Sequence, residues 1–330
     1  MKKTTILFSM LMQALVLPNV GLAQKFNSYF LKFSGREVAT KDSADVIRLI
    51  FEPDSGSNFY TVKEFYANYK RKLVGKTSTV GTGRLTLEGE CTTYYPTGVK
   101  KEVASYDAGV ISGDVADYYP NGQLYTVKRY EKKLPDLWLG PNTNFLVISC
   151  NDSTGKALVA DSSGHYVAYS ENFKRVFQQG DIKLGLREGQ WTGTIGNEND
   201  ESTFTETYKE GKFISGQSVD KTGQVYTYTE REIAPSFNGG MQAFYNILAR
   251  NVRYPKEAKE KHIEGKVILS FVIEKDGSLT DFKMLRAPSP DLGEEALRAI
   301  KLSPKWIPGM QYGRPVRVQF TIPVNFTLGN

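Results

Sequence analysis

The histidines are the first residues to consider for chemistry, because histidine is the commonest general base and metal ligand. The chain has 330 residues but only two histidines, His165 and His262, in polar segments far apart in the sequence. A Ser-His-Asp triad or a histidine-based metal cluster is therefore nearly excluded. Glu294 and Glu295 are adjacent in the first turn of a predicted helix, where they suit the helix dipole rather than acid–base catalysis. We predict that the chain is not an enzyme and has neither a metal site nor a cofactor.

Backbone groups near the C-terminus offer another kind of chemistry, the pairing of strands. The segment RPVRVQFTIPVNF, residues 314–326, alternates apolar and polar residues, which predicts one β-strand with one buried face. Pro323 lies inside this strand and cannot donate to a neighbouring strand, so the strand is expected at a sheet edge. If Pro323 faces outward, residues of the same parity also turn their backbone N–H and C=O groups outward. These residues are Arg317, Gln319, Thr321 and Asn325.

A long open edge invites further pairing, and two outcomes remain open for it. An extended peptide from a partner could join the sheet by strand addition. Alternatively, Pro323 blunts the edge, and either the repeat domain or a second copy of the chain covers it. Cover by a second copy would make a homodimer.

The preceding elements predict the sheet to which this strand belongs. Residues 241–252 carry apolar residues at helical spacing, and Pro255 is placed to open a second, short helix. Residues 265–286 are typical of a β-hairpin around an Asp-Gly turn. A further helix follows, with Asp291 and Glu294 spaced as a capping box. The order helix, strand, strand, helix, strand predicts an α+β domain, a three-stranded antiparallel sheet with two helices on one face.

The middle of the chain contains an internal repeat, which makes the fold class mainly β. Three pairs of residues carry it, each pair 24 residues apart: Tyr94 and Tyr118, Gly98 and Gly122, Tyr106 and Tyr130. Each unit combines a Pro- and Gly-containing turn with Tyr-, Val- and Thr-rich flanks, which predicts a β-hairpin that stacks on the next one. Weaker copies extend this array over roughly residues 60–230. The turn tyrosines could form a binding platform, but we favour a packed aromatic spine: Tyr94, Tyr95, Tyr118 and Tyr119.

The N-terminus has the layout of a secretory signal peptide. Two lysines precede an apolar segment of about a dozen residues, and small residues end at Ala23. We therefore predict a leader over residues 1–23 and a periplasmic mature protein. The alternative is an uncleaved leader that anchors the chain in the inner membrane. The formal charge of +6 comes without a basic run, so nucleic-acid binding is not expected.

Composition shifts near EREIAPSFNGG, residues 230–240, where the hairpin pattern stops. We place the domain boundary there, with a β-repeat domain over residues 24–232 and a second domain over 233–330. Cys91 and Cys150 are the only cysteines, and we favour two free, buried thiols over a disulfide.

Two family resemblances follow from these motifs. The hairpin array resembles the MORN-like repeats of bacterial envelope proteins. The C-terminal segments PSFNGG, Tyr254-Pro255, GKVILSFVIEKDGSL, DLGEEALRAIKLSPKWIPG and GRPVRVQFTIPVNF together resemble the C-terminal domain of TonB. That resemblance implies a periplasmic domain that binds the TonB-box peptide of outer-membrane TonB-dependent transporters by strand addition. It implies contacts at Arg317, Gln319 and Thr321, with Tyr254 and Pro255 close to the groove.

The chain departs from a full TonB in two ways that affect its expected function. A full TonB has an uncleaved membrane helix, which docks on inner-membrane motor proteins, and a long Pro-rich spacer. This chain has a predicted cleavable leader and β-repeats instead, which leaves peptide binding intact and puts energy transduction in doubt. Contact with the motor proteins is expected only if the leader is retained. The alternative function is an envelope scaffold that acts through its repeats without energy transduction.

Overall fold

The computed structural model describes residues 24–131, 145–196 and 201–328, and it consists mainly of β-strands. The described residues form two compact units, one ending at Leu124 and one beginning at Tyr125. The predicted leader lies outside the described residues. Within the described ranges, we find no helix with the length and apolar character needed to cross a membrane.

The first unit is an antiparallel sheet with a single turn of 3₁₀-helix at Lys41–Ser43. From β1 to β6 each strand pairs with the next, and β6 pairs with both β7 and β8. Its strands are β1 (Phe26–Leu31), β2 (Val46–Phe51), β3 (Tyr60–Tyr66), β4 (Arg71–Thr77), β5 (Leu87–Tyr94), β6 (Lys100–Asp107), β7 (Val110–Ile111) and β8 (Gly113–Tyr118).

The second unit begins with a run of antiparallel hairpins, here called the repeat sheet (β9–β17). Consecutive strands pair from β9 to β17. They are β9 (Leu124–Tyr130), β10 (Phe145–Asn151), β11 (Ala157–Ala160), β12 (Ser163–Tyr169), β13 (Val176–Lys183), β14 (Leu186–Ile195), β15 (Ser202–Lys209), β16 (Lys212–Val219) and β17 (Val225–Tyr228).

One turn geometry recurs along the hairpins. At Tyr95–Val99 and at Tyr119–Gln123 the first residue's N–H donates to the last residue's carbonyl, and the fourth residue's N–H donates back to the first carbonyl. The fourth residue has a positive φ, 90° at Gly98 and at Gly122, which glycine adopts without strain. Tyr69 holds the same place in an earlier turn with φ 62°. The membership of these hairpins in the MORN-like class stays a prediction.

The turn tyrosines take part in packing within the first unit. Tyr119 is only 4% exposed. The Tyr95 hydroxyl donates to the Tyr118 carbonyl at 2.7 Å, and the Tyr66 hydroxyl makes the same bond to the Tyr94 carbonyl. Burial raises the pKa of Tyr95 to about 12, since the phenolate would lose its hydration. The Tyr66 and Tyr95 hydroxyls thus tie successive hairpins together, and the aromatic spine of the four turn tyrosines stays a prediction.

Both cysteines are free and buried in the described part of the chain, as predicted. Burial raises the pKa of the Cys150 thiol to about 11 and also raises that of Cys91. Thiols in such surroundings are poor nucleophiles.

The C-terminal part has the predicted order of helices and strands, with an added small sheet. Its elements are β18 (Glu232–Ile233), α1 (Gly240–Asn251), α2 (Lys256–Glu260), β19 (Gly265–Ile273), β20 (Leu279–Arg286), α3 (Pro290–Lys301), β21 (Gly309–Gln311), β22 (Arg314–Val316) and β23 (Val318–Phe326). The larger sheet has the strand order β20–β19–β23, and the smaller has the order β18–β21–β22. The boundary predicted between residues 232 and 233 falls inside β18, and the division into domains stays a prediction.

Two local predictions were wrong. Residues 314–326 form two strands rather than one, because β22 pairs with β21 while β23 pairs with β19, and Arg317 links them. The predicted capping box at Asp291 and Glu294 is absent from α3. Its N-cap is Ser289, whose hydroxyl accepts from the Leu292 N–H at 3.4 Å, with Pro290 in the first turn.

The core of the C-terminal domain lies between the larger sheet and the helices. Alternate residues of β19 point into it, and each is fully buried: Val267, Leu269, Phe271 and Ile273. Helix α1 adds Phe244 and Leu248, and α3 adds Leu292, Ala296 and Ile300. Trp306 closes one end, with its ring 5.0 Å from that of Phe244. This core fixes the strand that carries the candidate site.

Candidate functional site

Strand β23 forms one edge of the larger sheet, as the sequence predicted. Its residues pair antiparallel with β19 from Val318, opposite Ile273, to Phe326, opposite Gly265. No strand among the described residues pairs with its other side. The outer edge of β23 is therefore open in the described part of the chain.

The position of Pro323 shows which backbone groups face outward. Pro323 lies opposite Ile268, and because it has no N–H, this pair belongs to the set that exchanges no hydrogen bonds. The two sets alternate along an antiparallel ladder, so the pairs of Gln319, Thr321 and Asn325 belong to the same set. Their N–H and C=O groups therefore point away from β19. Pro323 offers a carbonyl there but no donor.

The inner face of β23 holds the strand in place. Ile322, Val324 and Phe326 are 1%, 5% and 2% exposed, and all belong to the apolar core. Burial of such side chains contributes roughly 1.5–3 kcal/mol each. The edge is therefore a fixed rail of backbone groups over most of its length.

Arg317 lies in the link before the edge strand, and its side chain is occupied. Its guanidinium donates to both carboxylate oxygens of Glu274 at 2.8 Å and to Asp281 at 2.9 Å. This pairing and the Thr280 hydroxyl lower the pKa of Glu274, and Glu274 in turn raises the pKa of Arg317. Two carboxylates already balance this cation, so it is a weak anchor for an acidic ligand group.

The other predicted edge residues differ in how far their side chains are engaged. Gln319 donates to the hydroxyl of the buried Ser270 at 3.0 Å, on the face of the sheet opposite the apolar core. Thr321 and Asn325 are exposed, and their side chains make no hydrogen bond to any residue in the described ranges. The structure thus places these three residues along one edge, in line with Arg317.

Tyr254 and Pro255 lie at the other end of β23. The Tyr254 ring packs edge-on against Phe326 at 5.7 Å, and its hydroxyl donates to the Ile263 carbonyl at 2.6 Å. Pro255 is the N-cap of α2. Both residues line an open groove of about 520 Å³ beside the first turn of α3. The structure therefore places this pair on the helical side of the domain and engages the Tyr254 hydroxyl internally.

Sequence reasoning missed the hairpin β21–β22. Its turn residues Tyr312 and Gly313 have φ of 51° and 75°, close to the values of Ala108 and Gly109 in the first unit. A residue followed by glycine between short apolar segments was the available signal. The continuous alternation of residues 314–326 concealed it.

Comparison with known proteins identifies the class of the C-terminal domain. Residues 250–328 match the family model described as Gram-negative bacterial TonB protein C-terminal. The predicted resemblance to a TonB C-terminal domain is therefore confirmed for this part of the chain.

Particular relatives come from Helicobacter pylori. Protein TonB of strain 26695 is 39% identical over 114 residues, which cover 34% of this chain and 39% of the relative. Protein TonB of strain J99 is 40% identical over 84 residues, which cover 25% and 28%. The chain thus spans less than half the length of these curated relatives. An NMR solution structure of the H. pylori TonB C-terminal domain shares 33% identity, covers 26% of this chain and 91% of that one, and has a TM-score of 0.22.

Proposed function

We propose that the chain is a non-enzymatic, periplasmic TonB-like protein that binds the TonB-box peptide of outer-membrane TonB-dependent transporters. The peptide adds a strand to the outer edge of β23, and the protein thereby contributes to transport across the outer membrane. The similarity of residues 250–328 to TonB C-terminal domains supports the class of function.

The open edge of β23 is the observation that carries the proposal. An added strand needs a row of unpaired backbone groups on a strand that stays in place. The outward backbone groups of Gln319, Thr321 and Asn325 are the unpaired row. The buried inner face of β23 keeps the strand in place. The alternative, an envelope scaffold acting through the repeats, would have this edge covered, and no strand among the described residues pairs with it.

Pro323 limits the length of the added strand. One peptide residue can exchange two hydrogen bonds with Gln319, and the peptide residue two positions away can exchange two with Thr321. Opposite Pro323 its carbonyl finds no donor. We therefore expect pairing over a short stretch that ends at Pro323, with recognition mainly through backbone groups.

Two substitutions at one position test this mode of binding. Thr321→Pro removes one outward N–H and leaves the bonds to β19 intact, because position 321 has the parity that already accommodates Pro323. Thr321→Val changes only the side chain and is the matched control. The full chain from residue 24 is titrated with a TonB-box peptide and followed by NMR.

We expect wild type and Thr321→Val to bind alike and Thr321→Pro to bind at least about tenfold more weakly, since it loses a backbone hydrogen bond and leaves a peptide carbonyl unpaired. Equal binding by Thr321→Pro, or shifts in the wild type that avoid residues 317–325, would contradict strand addition at this edge.

The proposed location depends on the leader. Cleavage after Ala23 gives a soluble periplasmic protein, whereas a retained leader places the chain at the inner membrane, within reach of motor proteins. Mass spectrometry of the N-terminus separates these cases, because the first predicts Gln24 as the first residue. A homodimer, which would use the same edge, is expected to compete with the peptide.

A further inference from the structure

The hairpin β21–β22 of the C-terminal domain is seated on the last strands of the repeat sheet. The Tyr312 ring stacks on that of Phe204 from β15, with ring centres 5.9 Å apart and planes at 26°. It also meets the ring of Tyr228 from β17 edge-on at 5.7 Å. Next to it, the Arg314 guanidinium hydrogen-bonds the Ser202 hydroxyl and lies over the Tyr226 ring at 5.9 Å. Side chains of the turn thus contact both β15 and β17.

Backbone contacts fix the same turn. The buried Ser218 of β16 donates its hydroxyl to the Tyr312 carbonyl at 2.8 Å, and the Tyr312 N–H donates to the Arg231 carbonyl at 2.6 Å. A Cβ at Gly313 would lie 2.9 Å from the Thr227 carbonyl oxygen, so the turn backbone approaches β17 closely. Tyr312 has a left-handed φ of 51°, which a bulky residue adopts only where its surroundings hold it.

A buried ionic cluster supports the surface on which Tyr312 rests. Glu206 of β15 is fully buried and accepts from the Arg231 guanidinium, from the Tyr228 hydroxyl at 2.9 Å and from the Tyr208 hydroxyl at 2.8 Å. Arg231 also follows the repeat sheet directly in the chain and precedes β18. The cluster therefore holds β15, β17 and the start of the C-terminal domain together.

The seated hairpin leads directly into the candidate edge. Arg317 alone separates β22 from β23, so Gln319 lies only five residues after Arg314. The inner-face side chains at this end, Val318 and Phe320, are only partly buried, whereas those from Ile322 onward are buried. The beginning of β23 thus depends less on the apolar core and more on what holds β22.

We propose that β15–β17 support the peptide-binding edge by holding the hairpin β21–β22. Tyr312 is then a positioning residue that fixes the Arg317–Thr321 end of β23. The repeat sheet and the edge then form one cooperative structure rather than two independent domains. The peptide-binding part of this proposal rests on the function proposed above, and the order of the edge does not.

Three variants of the full chain from residue 24 test whether β15–β17 support the edge through Tyr312. Tyr312→Ala removes the ring, and Tyr312→Phe keeps the ring and its stacking. Tyr245→Ala is the matched control, because it removes a half-buried tyrosine from α1 of the same domain, where the ring packs against Phe244 at 5.4 Å. Hydrogen exchange of the amides of residues 309–320 is measured without peptide, and peptide affinity is measured separately.

We expect Tyr312→Ala to speed exchange over residues 309–320 by about tenfold or more and to weaken peptide binding by about tenfold, from the loss of two aromatic contacts. Tyr312→Phe should remain within about threefold of wild type in both, and Tyr245→Ala should leave exchange in this segment unchanged.

Unchanged hydrogen exchange in Tyr312→Ala, or equal acceleration in Tyr245→Ala, would overturn the proposal that β15–β17 support the edge. Faster exchange with unchanged peptide affinity overturns the positioning role of Tyr312. If the wild type does not bind the peptide at all, the proposed function fails, and the exchange measurements still decide whether the repeat sheet orders the edge.

Discussion

The C-terminal domain and the repeat sheet bury different kinds of side chain, although both are built on antiparallel strands. The interior of the C-terminal domain is a continuous apolar cluster between a sheet and three helices, and it includes the fully buried Phe271. The repeat sheet has no helix on it within the described ranges, and its interior includes the fully buried Glu206, paired with Arg231, beside Trp191 and Tyr208.

The difference shows how a sheet without a helical layer covers its inner face. Long side chains with an apolar body and a polar tip can cover a sheet and still reach partners at its rim. Trp191 illustrates this, because its ring is buried while its N–H donates to the Asp181 carbonyl at 3.1 Å. The repeat sheet should therefore be more sensitive to changes of charge, and the C-terminal domain to changes of volume or backbone space.

The largest expected effect is the loss of the buried carboxylate. Glu206→Ala leaves Arg231 without its ionic partner and should lower the free energy of unfolding by about 3–5 kcal/mol. Replacing both residues by methionine should restore part of the loss, because the Arg231 charge is removed as well, while the nearby Arg187 still loses the attraction of Glu206. Urea unfolding followed by tryptophan fluorescence measures both. A double variant as unstable as the single one would show that the pair contributes more than charge balance.

A smaller effect is expected from one substitution made in the same turn of the two regions. Gly277 of the C-terminal domain and Gly223 of the repeat sheet hold the same place in this turn. Ala at Gly277 would place a Cβ 2.0 Å from the Trp306 carbonyl oxygen, whereas Ala at Gly223 would meet no atom within 4 Å. Both positions have a positive φ, so both variants carry backbone strain. We expect Gly277→Ala to cost about 2–3 kcal/mol and Gly223→Ala about 1 kcal/mol. Equal losses in thermal or urea unfolding would contradict the difference in available space.

The smallest effect concerns the exposed ion pair of Arg317. The pKa of Glu274 is lowered in the folded state from its ordinary value of 4.5, first by Arg317 and then by Thr280. Its contribution to stability is therefore complete above about pH 4.5 and is lost as the pH falls through the lower, folded value. NMR titration should show Glu274 protonating below pH 4.5, and Arg317→Gln should move its pKa upward. An unchanged pKa of Glu274 in Arg317→Gln would show that Arg317 does not stabilise the Glu274 carboxylate.

The sequence predicted those parts of the fold that are encoded locally. The Asp-Gly hairpin at residues 265–286 and the helix after it have their own turn and spacing signals, and both are present. Pro323 predicted an edge strand for a reason that holds in any context, the missing donor. The recurrent glycines predicted the turns at Gly98 and Gly122 because few other residues adopt their φ.

The parts that the sequence did not predict depend on pairing between distant residues. Alternation continues through Arg317, so the pattern does not show that the segments on its two sides choose different partners, β21 and β19. Glu206 shares its strand face with the aromatic residues Phe204 and Tyr208, but no local signal shows which cation will pair with it until Arg231, 25 positions later, is brought onto it. The seat of Tyr312 arises in the same way, from three strands that are separated from it by about a hundred residues of chain.

The single residue between β22 and β23 also restricts how this region can change in length. Because side chains alternate between the two faces of a strand, inserting one residue beside Arg317 while β22 stays seated would turn Ile322 and Val324 to solvent and Thr321 to the core. Insertions of one residue should therefore be rare at this link in homologous chains, whereas surface turns of the hairpins can vary in length. The number of residues between Tyr312 and Pro323 should therefore be kept both in homologous chains and in engineered variants.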